Sequence, residues 1–179
     1  MPSLPPISSV AGTRIFFGAL TLLAGAMLAT ALLLEYVFEL APCSLCLLQR
    51  GALLLALAPL AAATAHGPGR LGGLIYASGA GLAAIAGGAL AGYHLRLQHL
   101  PAEQLPECGP GLDYLLQTLP PFEALTRALT ASGECGDVAG RFLGLSIPAW
   151  TLIGFALLVL PCAGYCLRRP RALFSEPQQ

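Results

Sequence analysis

The sequence predicts an all-α integral membrane protein: a four-transmembrane-helix bundle with a long loop on one side that carries short surface helices. Three observations lead there. The 179 residues are 56% hydrophobic and only 10% charged, far from the roughly 25% charged residues of a soluble domain. Four apolar runs absorb most of the chain, each close to the roughly 20 residues a helix needs to cross about 30 Å of hydrocarbon. The formal net charge is zero, and all nine basic residues are arginine. That composition excludes a nucleic-acid face, because phosphate binding demands clustered cationic side chains.

The first run, about 15–34, contains no charge. Ala29-Thr30-Ala31 has the small residues of a signal cleavage site, but the apolar stretch continues through Leu32, Leu33 and Leu34. That length favours a retained anchor over a cleaved signal. The second run, about 47–65, has Gln49 and Arg50 near its beginning and Pro59 inside, which a membrane helix tolerates as a kink. The third, about 71–92, is rich in Gly and Ala. Gly88 and Gly92 stand four apart on one face, a spacing that lets helix backbones approach closely. The fourth, about 147–167, has Pro148 in its first turn, where a missing N–H costs little, and Pro161 inside. The expectation is one membrane domain over 1–179, with outer segments at 35–46 and 93–146.

Arg14, then Arg70 with His66, then Arg168, Arg169 and Arg171 fall at helix ends on one side. Positive residues near helix ends mark the cytoplasmic face, so both termini are expected inside. Eight of the nine acidic residues lie on the other side. The long outer loop carries Leu112, Leu115, Leu116, Leu119, Phe122, Leu125 and Leu129 at helical spacings, interrupted by Pro120-Pro121. Short helices are expected there, lying on the membrane surface or packing on the bundle.

Four of six cysteines, Cys43, Cys46, Cys108 and Cys135, also belong to the outer side, where disulfides persist if the compartment is oxidising. Cys43-Ser44-Leu45-Cys46 stands at the head of the second helix, and a helix N-terminus favours the thiolate, the reactive species. Arg50 follows Cys46 by four residues and so shares its face. A charge at the membrane boundary needs a partner or a function. Zinc is a poor reading of the four cysteines, since the second pair is separated by 26 residues whereas structural zinc sites use two close pairs. A plain structural disulfide between Cys108 and Cys135 remains the simple alternative. Cys162 and Cys166, within the fourth run, read as inert buried thiols.

Pro42-Cys43-Ser44-Leu45-Cys46-Leu47-Leu48-Gln49-Arg50 resembles the P-C-x-L-C-x-x-[EQ]-R signature of the disulfide bond formation protein B (DsbB) family. The resemblance continues at Tyr93-His94 and Leu97-Gln98, at Ala131-Ser132-Gly133-Glu134-Cys135, and from Phe142 through Gly144 and Pro148 to Trp150. It covers almost the whole chain. It implies a protein-disulfide:quinone oxidoreductase of the bacterial inner membrane, with a periplasmic outer loop. The implied partners are a soluble thioredoxin-like periplasmic oxidant, similar to DsbA, and the lipid-dissolved quinone pool, ubiquinone or menaquinone; no metal and no nucleic acid is implied. The resemblance assigns Cys108 and Cys135 as the pair attacked by the partner, with Cys108 forming the mixed disulfide. It assigns Cys43 and Cys46 as the inner pair, Cys46 with Arg50 as the contact with the quinone, and His94 as a residue near that pocket. Reoxidising a strong oxidant needs a stronger terminal acceptor, since each 30 mV uphill costs about 1.4 kcal/mol in a two-electron step. Gly140 departs from the pattern, standing where an aromatic residue is expected. The alternatives are an oxidase of the same architecture with a specialised partner, and a nonenzymatic membrane scaffold with a stabilising disulfide.

Overall fold

The computed structural model describes residues 10–107, 109–130, 133–136 and 140–173. Cys108, Ala131, Ser132 and Asp137 lie outside the described residues, as do the side chains of Glu134, Arg168, Arg169 and Arg171. Six helices follow in order: α1 (Val10–Tyr36), α2 (Ser44–His66), α3 (Arg70–Leu97), α4 (Leu112–Thr118), α5 (Pro121–Thr130) and α6 (Ile147–Leu173). Four are long and apolar enough to cross a membrane, over Ala11–Tyr36, Ser44–His66, Arg70–Leu97 and Ile147–Leu167. The chain is a four-helix membrane protein, in which α3 packs against both α2 and α6 while α1 lies chiefly on α2.

Helices α2 and α3 run past the ends of their apolar runs, each for a local reason. Helix α2 opens at Ser44 because Cys43, in extended backbone, is its N-cap and accepts a bond from the Cys46 N–H. It closes at Gly67, whose left-handed φ of 58° brings its N–H to the Ala63 carbonyl at 2.9 Å, a conformation that glycine adopts without a Cβ clash. Helix α3 continues past Gly92 to Leu97, because the seam it buries continues too. Gly73, Ala77, Ala80, Ala84, Gly87 and Ala91 are buried, and His94 and Leu97 extend the same line. Steps of four and three alternate from Gly73 to His94, the spacing of a knobs-into-holes seam.

The close approaches on this seam are not at the glycines singled out by their i, i+4 spacing. A Cβ on Gly92 would meet nothing, and one on Gly88 would only touch Phe155 Cβ at 3.5 Å. A Cβ on Gly87 would fall within the Phe155 ring, and one on Gly73 against the Tyr165 hydroxyl. Both aromatic residues belong to α6 and are buried. Tyr165 also stacks on Phe16 of α1 at 5.2 Å, so the end of the bundle away from Cys43 is tied across three helices. A polar tie is added where the Thr21 and Thr64 hydroxyls meet at 3.1 Å between α1 and α2.

Helices α4 and α5 form on either side of Pro120, with Pro121 opening α5, where its lack of an N–H is harmless. Leu112, Leu115, Ala124 and Ala128 are buried against each other and against Leu47 and Leu48 at the head of α2. The loop is therefore docked on the bundle through its small inner face, while Tyr114, Leu116, Phe122 and Leu125 remain exposed. A two-residue hairpin, β1 (Arg141–Phe142) with β2 (Leu145–Ser146), precedes α6. Its turn residues Leu143 and Gly144 both have positive φ, 51° and 82°, the requirement of a tight primed hairpin turn. Trp150 secures it by donating from Nε1 to the Phe142 carbonyl at 3.0 Å. Gly140 faces Ile147 and Leu40, and a Cβ there would make ordinary contact with them at 3.6 and 3.8 Å.

Replacement of Gly87 by Leu should destabilise the bundle by about 1–3 kcal/mol through overpacking, whereas Gly92→Ala should be neutral. Thermal unfolding in detergent measures both; equal losses would show that Gly87 is not the tight point of the seam.

Candidate redox site

The site is built where three helices end together beneath the docked loop. Cys43, as N-cap of α2, holds its sulfur 3.4 Å from the Cys46 backbone N and 2.9 Å from Cys46 Sγ. The two residues between them, Ser44 and Leu45, are 3% and 0% exposed, so the first turn is clamped by packing on its inner side. Both cysteines are thiols here.

Two further groups converge on the pair from other elements. His94, near the end of α3, is 3% exposed, and its ring stands beside Cys46. One ligand atom from each of Cys43, Cys46 and His94 lies within 4.8 Å of the other two, so these three are also the residues able to hold a metal ion. The ring is positioned from behind by Gln49, whose Nε2 is 3.3 Å from His94 Nδ1. From the loop, the 3-10 turn Gly133–Gly136 carries Cys135 to a position 1% exposed. There it packs with Leu45 and Leu97 and shares a hydrogen bond with Cys43.

That bond shifts the chemistry. Cys43 is pushed up from the ordinary thiol range to about 12, first by its hydrogen bond with Cys135 and then by burial, while its bond with Cys46 pulls the other way. With all sulfurs reduced, clustering and desolvation outweigh the N-terminal N–H, and Cys43 keeps its proton at neutral pH. The pull of a helix start toward the thiolate is outweighed in the reduced state, since two neighbouring sulfurs in a dry place disfavour a charge on Cys43.

Arg50 lies one turn further down α2 and turns toward α1. It is ion-paired with Glu35 and donates to the Ala31 carbonyl at 3.3 Å. Its Nε is buried and has no partner among the described residues. The side chain found at Cys46 is thus His94, with Arg50 held nearby by α1. Cys162 is buried between α3 and α6 in the main core, and Cys166 Sγ lies 3.6 Å from Ser78 Oγ; neither joins this site.

Comparison with known proteins agrees with the geometry. The family model described as "Disulfide bond formation protein DsbB" matches residues 13–164. The chain belongs to the DsbB family. It is 46% identical to the disulfide bond formation protein B of Chromohalobacter salexigens over 170 residues, covering 91% of this chain and 99% of that one. Identity is again 46% with the protein of Marinobacter nauticus, over 88% and 94% of the two chains, and 41% with that of Acinetobacter baumannii, over 83% and 88%. Membership in the DsbB family makes this a membrane protein of disulfide bond formation.

Sequence reasoning missed Glu35, Gln49 and the approach of Cys135 to Cys43. Glu35 carried a signal: it is the acidic residue at the end of the first apolar run, on the side where Arg50 needs a partner. Gln49 sits four residues before Leu53 on the buried face of α2, yet nothing local names His94 as its mate. The Cys135 contact spans more than ninety positions and has no local signature.

In the reduced chain, alkylation of Cys43 should be slow at neutral pH and should keep accelerating toward pH about 12, whereas a free thiol levels off above about 8.5. Cys135→Ala removes the largest cause and should lower the midpoint. Residue-resolved mass spectrometry over a pH series reads both; a plateau near pH 9 in the unsubstituted chain would contradict the assignment.

Proposed function

We propose that the chain is a quinone-linked oxidase that reoxidises a soluble thioredoxin-like dithiol protein, through Cys108/Cys135 and then Cys43/Cys46. It would sit in the bacterial inner membrane, with both termini in the cytoplasm and the site at the periplasmic boundary. The observation that carries the reading is the hydrogen bond between Cys43 and Cys135: a sulfur from the outer loop rests against the pair at the head of α2.

On this route a partner thiolate attacks Cys108, forming a mixed disulfide and releasing Cys135 as a thiolate. The second partner thiol displaces Cys108 and leaves as the oxidised partner. Cys135 then attacks Cys43 of a Cys43–Cys46 disulfide, and Cys46 leaves as thiolate. Attack by Cys108 on Cys135 restores the outer disulfide and frees Cys43. The inner pair now holds two electrons and two protons for the acceptor. Each step is an in-line thiolate displacement needing access and orientation. His94, beside Cys46, is placed to receive or return a proton at that sulfur. The roles of Cys108 come from the family motif, as the residue lies outside the described positions.

A quinone, when bound, takes up two electrons and two protons. The residues present suit one: a carbonyl oxygen requires a hydrogen-bond donor in an apolar place, and the buried Nε of Arg50, which has no partner among the described residues, is such a donor. Arg50 and His94 would hold the ring near Cys46, and the Glu35 ion pair keeps the Arg50 charge from being left alone at the membrane boundary.

Cys43→Ala, Cys46→Ala, Cys108→Ala and Cys135→Ala should each reduce turnover to background, while Cys162→Ala leaves it intact. The assay is quinone reduction by the purified chain with a reduced thioredoxin-like partner; no quinone reduction by the unsubstituted chain would sink the proposal. A Cys46→Ala, Cys108→Ala double variant should isolate a Cys43–Cys135 disulfide, detectable by peptide mapping. Arg50→Ala should raise the apparent KM for quinone by roughly tenfold, the loss of about 1.4 kcal/mol expected for a hydrogen bond to a charged donor, with little change in the KM for the protein partner.

A further inference from the structure

The relay uses the sulfurs of this site one disulfide at a time. In the reduced chain, the same sulfurs and an imidazole form a second kind of site. We propose that the reduced site binds one thiophilic divalent cation of the Zn2+ class, held by Cys43, Cys46 and His94, with Cys135 in the fourth position. The inference rests on the donor geometry and is independent of which electron acceptor the chain uses.

Tetrahedral zinc, with bonds of about 2.3 Å to sulfur and 2.0–2.1 Å to nitrogen, sets its donors roughly 3.5–3.8 Å apart. Cys43, Cys46 and His94 already present theirs within 4.8 Å of one another. The Cys43 and Cys46 sulfurs, at 2.9 Å, must open by about 1 Å to reach that spacing, which side-chain rotation supplies. Cys135 shares a hydrogen bond with Cys43, and brings a further sulfur to the site from the loop. Three sulfurs and one imidazole form a donor set that zinc favours.

The surroundings are also those of a metal site. Metal-bound imidazoles take their orientation from a partner on the other ring nitrogen. Gln49, 5% exposed, occupies Nδ1, and its amide can turn to accept from Nδ1–H, leaving the Nε2 lone pair for the cation. The charge balance is favourable, because thiolates bring negative charge to a buried cation that would otherwise be costly. Each coordinating thiol gives up one proton to solvent, and no electron moves. Oxidation of Cys43 and Cys46 to a disulfide removes both donors, so only the reduced chain can bind. A cation captured there would hold the inner pair in its reduced form.

The test is an anaerobic titration of the full chain in detergent with Cd2+ or Co2+, after reduction with a non-chelating phosphine. One equivalent should saturate a sulfur-to-metal charge-transfer band, with the visible absorption of tetrahedral Co2+, and the oxidised chain should show neither. Cys46→Ser should abolish the band, Cys135→Ser should lower its intensity, and Gln49→Leu should weaken binding by about 10- to 100-fold. A Cys162→Ala, Cys166→Ala double variant should bind unchanged. In the unsubstituted chain, which needs no substitution to fold, one equivalent of Zn2+ should protect Cys43 and Cys46 from alkylation. Absence of the band or of that protection in the reduced chain, binding that survives Cys46→Ser, or binding lost with Cys162 and Cys166 would each overturn the proposal.

Discussion

The close contact of α3 with its neighbours governs the rest of this structure. In a bilayer, lipid is as apolar as any side chain, so helices associate by dense packing and a few polar contacts. Here the packing comes from a line of glycines and alanines, Gly73 to Ala91, against the rings of Phe155 and Tyr165 and the buried face of α2. Such a line tolerates no slippage, because moving α3 by one turn would drive alanine methyls into those rings. Its register is therefore fixed, and the next residues on the line are His94 and Leu97. The imidazole reaches Cys46 because the small residues below it allow α3 only one position.

A second constraint acts at the same end of the bundle. Polar groups in an apolar setting need partners, since an unmade hydrogen bond costs more than a made one gains. Arg50 finds Glu35 and the Ala31 carbonyl on α1, while Gln49 finds His94 on α3. These two adjacent residues of α2 thus reach opposite neighbours, and between them they bind α1, α2 and α3 together beneath the cysteines. The site is held rigidly from below, while its upper side is closed by a loop resting on a small apolar patch, Leu112, Leu115, Ala124 and Ala128.

This division marks what the sequence made legible. The membrane spans could be read because about twenty uncharged residues in a row allow few other structures. Cys43 and Cys46 could be placed because C-x-x-C before an apolar run coincides with a helix start. Features that depend on one element meeting another could not be read. Gly88 and Gly92 have the familiar four-residue spacing, but the seam steps by four and three in turn, and so selects Gly87 and Gly73. The strands before α6 are two residues long, too short for any alternation to register, although Leu143-Gly144 between them is a turn signal. Arg50 was rightly seen to need a partner, and only the fold could say that Glu35 supplies it. The family motifs gave the order of the cysteines without giving the contact of Cys135 with Cys43.

That contact explains why the two cysteines of the inner pair are not equivalent. They lie on one helical turn with their sulfurs 2.9 Å apart, yet their other neighbours differ. Cys43, outside the first turn as its cap, meets Cys135 from the loop. Cys46, inside the turn, meets the buried imidazole of α3. On the proposed route, electrons enter at the sulfur that faces the loop and leave at the sulfur that faces the bundle. The pair need not turn between the two events, because the extended cap position of Cys43 turns its sulfur to the loop while the first helical turn holds that of Cys46 against α3.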